Sequence, residues 1–220
     1  MSIPFITFEN NLITINEQSL SNLCNLRNDV TVITIIGEAR LGKSTFLNMM
    51  ISYLEGTDMY VFKTDDTNEH CTQGLDIYVY QQKYIFIDCQ GISHQDSSND
   101  IKLLLLPYLI SDIIIFNTDK INNTTLKLLE PLVSFSNFIE IDRNQNKPTL
   151  FIRVKDYSLE TDINSVLLTT LEQREDQYDS IRNNVRQLFE SVHAISTDVL
   201  DRLTIRRIRA MKYRDIMVYP

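Results

Sequence analysis

At 220 residues, 43% hydrophobic and 23% charged, the chain has room for one α/β domain with a sizeable core and is short for two. Its formal charge of −8 is uneven, because residues 201–215 hold six Lys or Arg against two Asp; an acidic body with a basic tail argues against general nucleic-acid binding. The segment closest to lipid in character, residues 103–110, is far below the ~20 residues that span a bilayer. Cys24, Cys71 and Cys89 are odd in number and lack metal-ligand spacing, which suits a reducing, cytoplasmic setting. No basic region followed by an apolar stretch marks a secretory signal at the N-terminus.

Residues 3–8 and 12–15 read as two short strands parted by the turn-prone pair Asn10 and Asn11, after which Asn16 or Ser19 caps a short helix ending near Arg27. Residues 30–36, V-T-V-I-T-I-I, form the apolar, β-branched run of a buried strand. Phe46, Leu47, Met50, Ile51 and Leu54 then recur at helical spacing. Residues 63–73 are polar and without period, a long exposed loop. Residues 75–80 and 84–88 flank Gln81, Gln82 and Lys83 as the arms of a hairpin. Residues 101–110 are helical with Pro107 inside, which predicts a kink or an early end, and 112–117 are another buried strand. Leu126, Leu129, Leu132, Phe135, Phe138 and Ile139 keep helical spacing across Pro131, where a second helix is expected to start. A turn at 144–148 leads into a strand at 149–154. Ile163, Leu167, Leu171, Tyr178, Ile181, Val185 and Leu188 hold helical spacing over a long segment with polar residues between, and 192–196 form a last strand. The alternation of strand and helix predicts an α/β three-layer domain, a mostly parallel sheet with helices on both faces, over residues 1–200. Residues 201–220 are a basic, helical tail. Its Arg202, Arg206, Arg207, Arg209, Lys212 and Arg214 suit either a solvated helix face or peripheral contact with anionic lipid or an acidic partner.

Between the buried strand and the helix behind it stands G-E-A-R-L-G-K-S-T, residues 37–45, which matches G-x-x-x-x-G-K-[ST] in the strand–turn–helix setting the pattern requires. Gly37 and Gly42 permit backbone angles and close approaches that let successive N–H groups curl around phosphate oxygens. Lys43 supplies a point charge for the outer phosphates and Ser44 a hydroxyl for Mg²⁺. With Thr45 they open a helix whose positive dipole end faces the anion. Such phosphate-loop nucleoside triphosphatases hold their Mg²⁺ with a carboxylate at the end of a buried strand, the place Asp88 takes, and Gly91 follows in D-x-x-G, where its N–H can approach a γ-phosphate. Thr72 is the natural second hydroxyl for Mg²⁺, with Thr64 and Thr67 competing for the role. His70 and Cys71 make no metal site without partners, and His94 reads as a loop residue. Guanine recognition needs a carboxylate facing the base; Asp156 follows the strand at 149–154, where a base-reading loop belongs, although R-V-K-D is not the [NT]-K-x-D of Ras-like GTPases.

Taken together these motifs resemble the G domain of the guanylate-binding protein and atlastin group, within the wider dynamin-like GTPases. P-F-I-T-F-E-N-N-L-I-T-I-N-E-Q-S-L is similar to that group's lead-in, G-E-A-R-L-G-K-S-T-F-L-N to its phosphate loop and helix, and H-C-T-Q-G-L-D-I-Y to its H-T-K-G-I segment, with Thr72 on the switch threonine. I-I-F-N-T-D-K-I-N resembles the strand ending in Y-N, and F-I-R-V-K-D-Y-S-L the stretch holding the Arg-Asp motif, onto which Lys155 and Asp156 fall. Lys155 in place of arginine keeps the charge and loses the planar group. Gln90 stands where guanylate-binding proteins have glutamate and atlastins glutamine. His70 stands where guanylate-binding proteins have a serine that helps position water.

The resemblance implies GTP as substrate, Mg²⁺ as cofactor, hydrolysis to GDP and phosphate, and GTP-dependent homodimerisation through the G domain. It places Arg40, Lys43, Thr72 and Gln90 in catalysis, and Ser44, Thr72 and Asp88 around the metal. Gly37, Gly42, Thr45 and Gly91 line the phosphates, and Lys155 and Asp156 the guanine. The alternative is a domain that binds GTP or GDP, assembles with partners, and hydrolyses slowly or not at all. The resembled proteins continue into a helical domain, and atlastins into a membrane anchor; this sequence ends short of both.

Overall fold

The computed structural model describes residues 1–9, 12–26, 29–64, 74–92, 97–132, 147–155 and 162–197. Its strands are β1 (Ile3–Glu9), β2 (Leu12–Ile15), β3 (Thr31–Gly37), β4 (Leu75–Tyr80), β5 (Tyr84–Cys89), β6 (Ile113–Thr118), β7 (Thr149–Lys155) and β8 (Val192–Thr197). They form one sheet in the order β2-β1-β4-β5-β3-β6-β7-β8. From β5 to β8 the neighbours run parallel, whereas β4, β1 and β2 extend one side antiparallel. The α/β, mostly parallel expectation holds for these residues.

Alternation along the central strands feeds two apolar layers. Ile33 and Ile35 of β3, Ile115 of β6 and Phe151 of β7 enter one cluster. Ile36, Ile114, Phe116, Leu150 and Ile152 enter the other. Helix α2 (Lys43–Glu55) covers the first face with Phe46, Leu47 and Ile51. The opposite face is covered by α3 (Ser97–Ile110), α4 (Asn123–Lys127), α5 (Ile163–Leu171) and α6 (Asp179–Leu188), which contribute Leu104, Leu126, Leu167 and Val185 among others. Helix α1 (Glu17–Cys24) settles the choice of cap. The Asn16 side chain accepts from the Ser19 N–H at 3.0 Å, while the Ser19 hydroxyl donates to the Pro4 carbonyl at 2.6 Å and ties α1 to β1. In the β4–β5 hairpin, Gln81 and Gln82 both have positive φ, 50° and 55°, the mirror-image turn that suits strand twist.

Two expectations need correction. Pro107 does not end α3, which runs on to Ile110, with the Ser111 N–H bonded to the Pro107 carbonyl at 3.0 Å. Proline removes one internal bond, and the buried Leu104 and Tyr108 on the same helix hold the segment against the sheet. The long pattern from Ile163 to Leu188 is two helices. Residues 172–177 carry no apolar anchor, Glu175 takes φ 56°, and Asp176 and Asp179 accept the N–H groups of Tyr178 and Arg174 at 2.8 and 3.0 Å, a turn built from side chains. Near Pro131 the helical pattern does restart: α4 ends at Lys127, and 130–132 are helical again. Phe135, Phe138, Ile139 and the tail at 201–220 lie outside the described residues. Among those described, no helix is long and apolar enough to cross a membrane.

Candidate functional site

The loop between β3 and α2 is shaped by two glycines with different reasons for being glycine. Gly37 has φ 126°, and a Cβ there would stand 2.2 Å from the Asn117 carbonyl oxygen, so it lets β3 lie against β6. Gly42 has φ 76°, and a Cβ there would meet only the Thr45 Cβ at an ordinary 4.0 Å, so the backbone angle alone requires glycine as the residue that opens α2. Arg40, exposed near the loop's crest, adopts φ 65° without being glycine, a conformation that must be held by its surroundings. At the start of α2 the first N–H groups have no partner within the helix and are available to an anion.

Lys43 is buried, and its ammonium donates to the Glu38 carbonyl at 2.9 Å, folding the side chain back over the loop. Burial lowers its pKa, against the raising influence of Asp88 foremost, then Cys89 and Glu38. The Ser44 hydroxyl donates to Oδ2 of Asp88 at 2.6 Å, which brings a helix-start hydroxyl and a strand-end carboxylate to one point. Oxygen donors so placed fit a hard cation such as Mg²⁺, which takes one or two protein oxygens and completes its shell with phosphate and water. Among the described residues there is no cluster of three or more His, Cys, Asp or Glu. Thr45 is exposed in the first turn of α2.

The D-x-x-G segment lies along the phosphate loop. The Ile92 N–H donates to the Gly37 carbonyl at 3.0 Å, and a Cβ on Gly91 would stand 2.4 Å from the Ala39 Cα, so this glycine is what allows the two loops to touch. Gln90 is tied to Gly74 twice: its backbone N–H donates to the Gly74 carbonyl at 2.8 Å, and its side-chain oxygen accepts the Gly74 N–H at 3.1 Å. Lys155 ends β7, half-buried and opposite Thr197 of β8. Thr72 and Asp156 lie outside the described residues, as do Thr67, His70, Cys71 and His94; Thr64 is exposed.

Two side chains that contact the site were given no role in it from the sequence. Asn117, fully buried at the end of β6, donates through Nδ2 to the Leu41 carbonyl of the phosphate loop at 2.8 Å, and its Oδ1 accepts from the guanidinium of Arg153. Arg153, 6% exposed, has its guanidinium 4.3 Å from the centre of the Phe46 ring, in the first turn of α2. Gly37, Asn117 and Arg153 stand side by side across β3, β6 and β7. The available signal was a polar residue closing I-I-I-F and a lone charge inside L-F-I-R-V.

Residues 10–207 match the family described as guanylate-binding protein, N-terminal domain. The chain belongs to this family. Among guanylate-binding proteins it is 24% identical to guanylate-binding protein 5 of Homo sapiens, over 94% of this chain and 38% of that protein. It is 25% identical to guanylate-binding protein 2 of Rattus norvegicus, over 71% of this chain and 30% of that protein. The chain thus spans well under half the length of these guanylate-binding proteins. Among solved structures, the signal recognition particle receptor SRb-GTP/SRX complex from Chaetomium thermophilum aligns with a TM-score of 0.45 at 13% identity, covering 84% of this chain and 98% of that one.

Proposed function

We propose that this guanylate-binding-protein domain binds GTP with Mg²⁺, hydrolyses it to GDP and phosphate, and pairs with a second copy in a GTP-dependent way during turnover. The observation that supports this most is the meeting of the Ser44 hydroxyl and the Asp88 carboxylate at 2.6 Å beside a phosphate loop that carries a buried Lys43. In this reading the loop N–H groups take the phosphate oxygens, and the Lys43 ammonium exchanges the Glu38 carbonyl for the β- and γ-phosphates. Ser44, Asp88 and Thr72 hold the metal, which when bound neutralises charge developing between those phosphates. The Gly91 N–H meets the γ-phosphate. Arg40 supplies positive charge to the transferring group, Gln90 helps orient the attacking water, and Lys155 and Asp156 face the guanine.

One observation favours the slower alternative, a domain that binds and assembles with little hydrolysis. The Gln90 side-chain oxygen is engaged by the Gly74 N–H, a bond that competes with service to water. Single-turnover assays with GTP and with ATP, run over a range of protein concentrations, separate the readings. GTP consumed faster than ATP, at a rate per molecule that climbs with concentration, is expected. Binding of GTP without release of phosphate would leave the assembly module, and equal use of ATP would overturn the guanine reading.

A further inference from the structure

We infer that Arg153 is a positioning residue for the phosphate loop, acting through Asn117; the inference rests on the nucleotide reading above. A cation in the middle of a buried parallel strand is costly unless its hydrogen-bonding and electrostatic needs are met inside the protein. Arg153 meets part of them at the two points that matter for the loop, the Asn117 side-chain oxygen and the face of the Phe46 ring.

The bond to Asn117 does more than satisfy a charge. A side-chain amide has an acceptor end and a donor end, and either can be turned toward a given neighbour. The guanidinium offers donors only, so it captures Oδ1 and leaves Nδ2 to face the loop, where it donates to the Leu41 carbonyl at 2.8 Å. Turned the other way, Asn117 would set oxygen against oxygen at the Leu41 carbonyl and N–H against N–H at the guanidinium.

Fixing the Leu41 carbonyl fixes the plane of the peptide joining Leu41 to Gly42. In a trans peptide the C=O and the following N–H point in opposite directions. With the carbonyl held toward β6, the Gly42 N–H is turned away from the sheet, toward the mouth of the loop where the phosphates of a nucleoside diphosphate or triphosphate lie. Gly42 stands at φ 76° and, without a Cβ, leaves this peptide free to rotate, so the plane needs an external hold. The Phe46 contact ties the same guanidinium to the first turn of α2, whose opening residue is Gly42. Arg153 therefore links β7, the strand that leads to the base-reading segment, to the peptide that presents an N–H to phosphate.

The test is a titration of GDP into the full chain as wild type, Arg153→Met, Asn117→Ala, the double variant and Arg153→Lys, with thermal unfolding and binding stoichiometry recorded for each. Arg153→Met is expected to weaken GDP binding about tenfold at full stoichiometry, and Arg153→Lys, which keeps a donor for Asn117, to stay within about threefold of wild type. Because the arginine acts through Asn117, the double variant should bind no more weakly than Asn117→Ala alone. Additive losses in the double variant, an unchanged affinity in Arg153→Met, or an equal loss in Arg153→Lys and Arg153→Met would each overturn the relay. Should Arg153→Met not fold, Arg153→Leu, which likewise lacks a donor for Asn117, replaces it in the cycle with the same expected and overturning results. Failure of the wild type to bind GDP would instead overturn the nucleotide reading itself.

Discussion

Lys43 combines burial with a replaceable partner, the Glu38 carbonyl, and that sets its behaviour toward ligand and toward pH. Removing the ammonium deprives bound phosphate of a charged donor worth roughly 1.5–3 kcal/mol. Lys43→Ala is therefore expected to weaken GTP by about tenfold or more in a titration with labelled nucleotide. Burial favours the neutral amine in the empty fold, so its pKa lies below the usual lysine value, whereas bound phosphate favours the ammonium. The sign follows. Between the lowered folded value and the ordinary one the unfolded chain holds the proton that the empty fold has released, so the empty fold gains stability as pH rises through that window. Nucleotide binding takes up a proton there and weakens with rising pH, which calorimetry in buffers of different ionisation enthalpy measures; Lys43→Met should abolish the uptake. Asp156 belongs to the same scale. On the proposed reading it accepts the guanine N–H groups, so Asp156→Asn would offer a donor where an acceptor is needed, and competition binding should show preference moving from GTP toward XTP.

The residues legible in the sequence were those that stand at the fixed offsets of a motif. A phosphate loop demands glycines, a lysine and a hydroxyl at fixed offsets, and Gly37, Gly42, Lys43 and Ser44 are recognisable wherever the fold later puts them. Gly91 was read as a γ-phosphate contact, yet its Cβ would collide with Ala39 across 52 positions of chain, a constraint invisible in one dimension. Asn117 and Arg153 escaped for the same reason: each is explained by a neighbour on another strand.

At the scale of elements, local chemistry marked the strands and turns and failed where several weak signals compete. The hairpin and the capped α1 were readable because their turn and cap residues are adjacent to the apolar runs they serve. The break between α5 and α6 was not, since the helical period carries across it and only the paired roles of Asp176 and Asp179 reveal the turn. Arg182 of α6 bonds both of these carboxylates and also the Thr170 carbonyl at the end of α5. Another junction gives a sharper test. Gly74 immediately precedes β4 with φ 98°, and a Cβ would stand 2.1 Å from the Ile6 carbonyl oxygen of β1. Gly74→Ala should destabilise the domain by at least the ~1–3 kcal/mol typical of overpacking, read as a lowered midpoint in urea.

On the scale of the whole molecule, the strand–helix alternation made the parallel half of the sheet predictable, while the antiparallel half followed from no period and depends on β1 crossing to β4. Every described site residue sits at one end of the parallel half, with Arg40 at the crest of its first loop, exposed and in a strained backbone conformation. On the proposed reading, a surface brought by a second copy would redirect that side chain onto a γ-phosphate, and an arginine so supplied raises hydrolysis by roughly 10³–10⁵. Turnover per molecule should climb with protein concentration, and Arg40→Ala should flatten the curve while leaving GTP affinity within about threefold, a change of well under 1.4 kcal/mol. Turnover that is independent of concentration and indifferent to Arg40→Ala would remove both the arginine and the pairing from the mechanism.

The double tie between Gly74 and Gln90 turns one backbone proton into a gauge. The Gly74 N–H is held by the side chain of Gln90, and the neighbouring carbonyl by its backbone, so the two bonds respond differently when only the side chain is called away. Deuterium uptake at that single amide therefore reads the employment of Gln90 directly. In the empty domain the amide should exchange slowly; with a non-hydrolysable GTP analogue it should exchange faster if Gln90 has moved to serve water, and no faster if the glutamine remains a buckle between the two strands. Gln90→Ala supplies the fully released rate, and the fraction of that rate reached with nucleotide is the fraction of molecules in which the glutamine has let go.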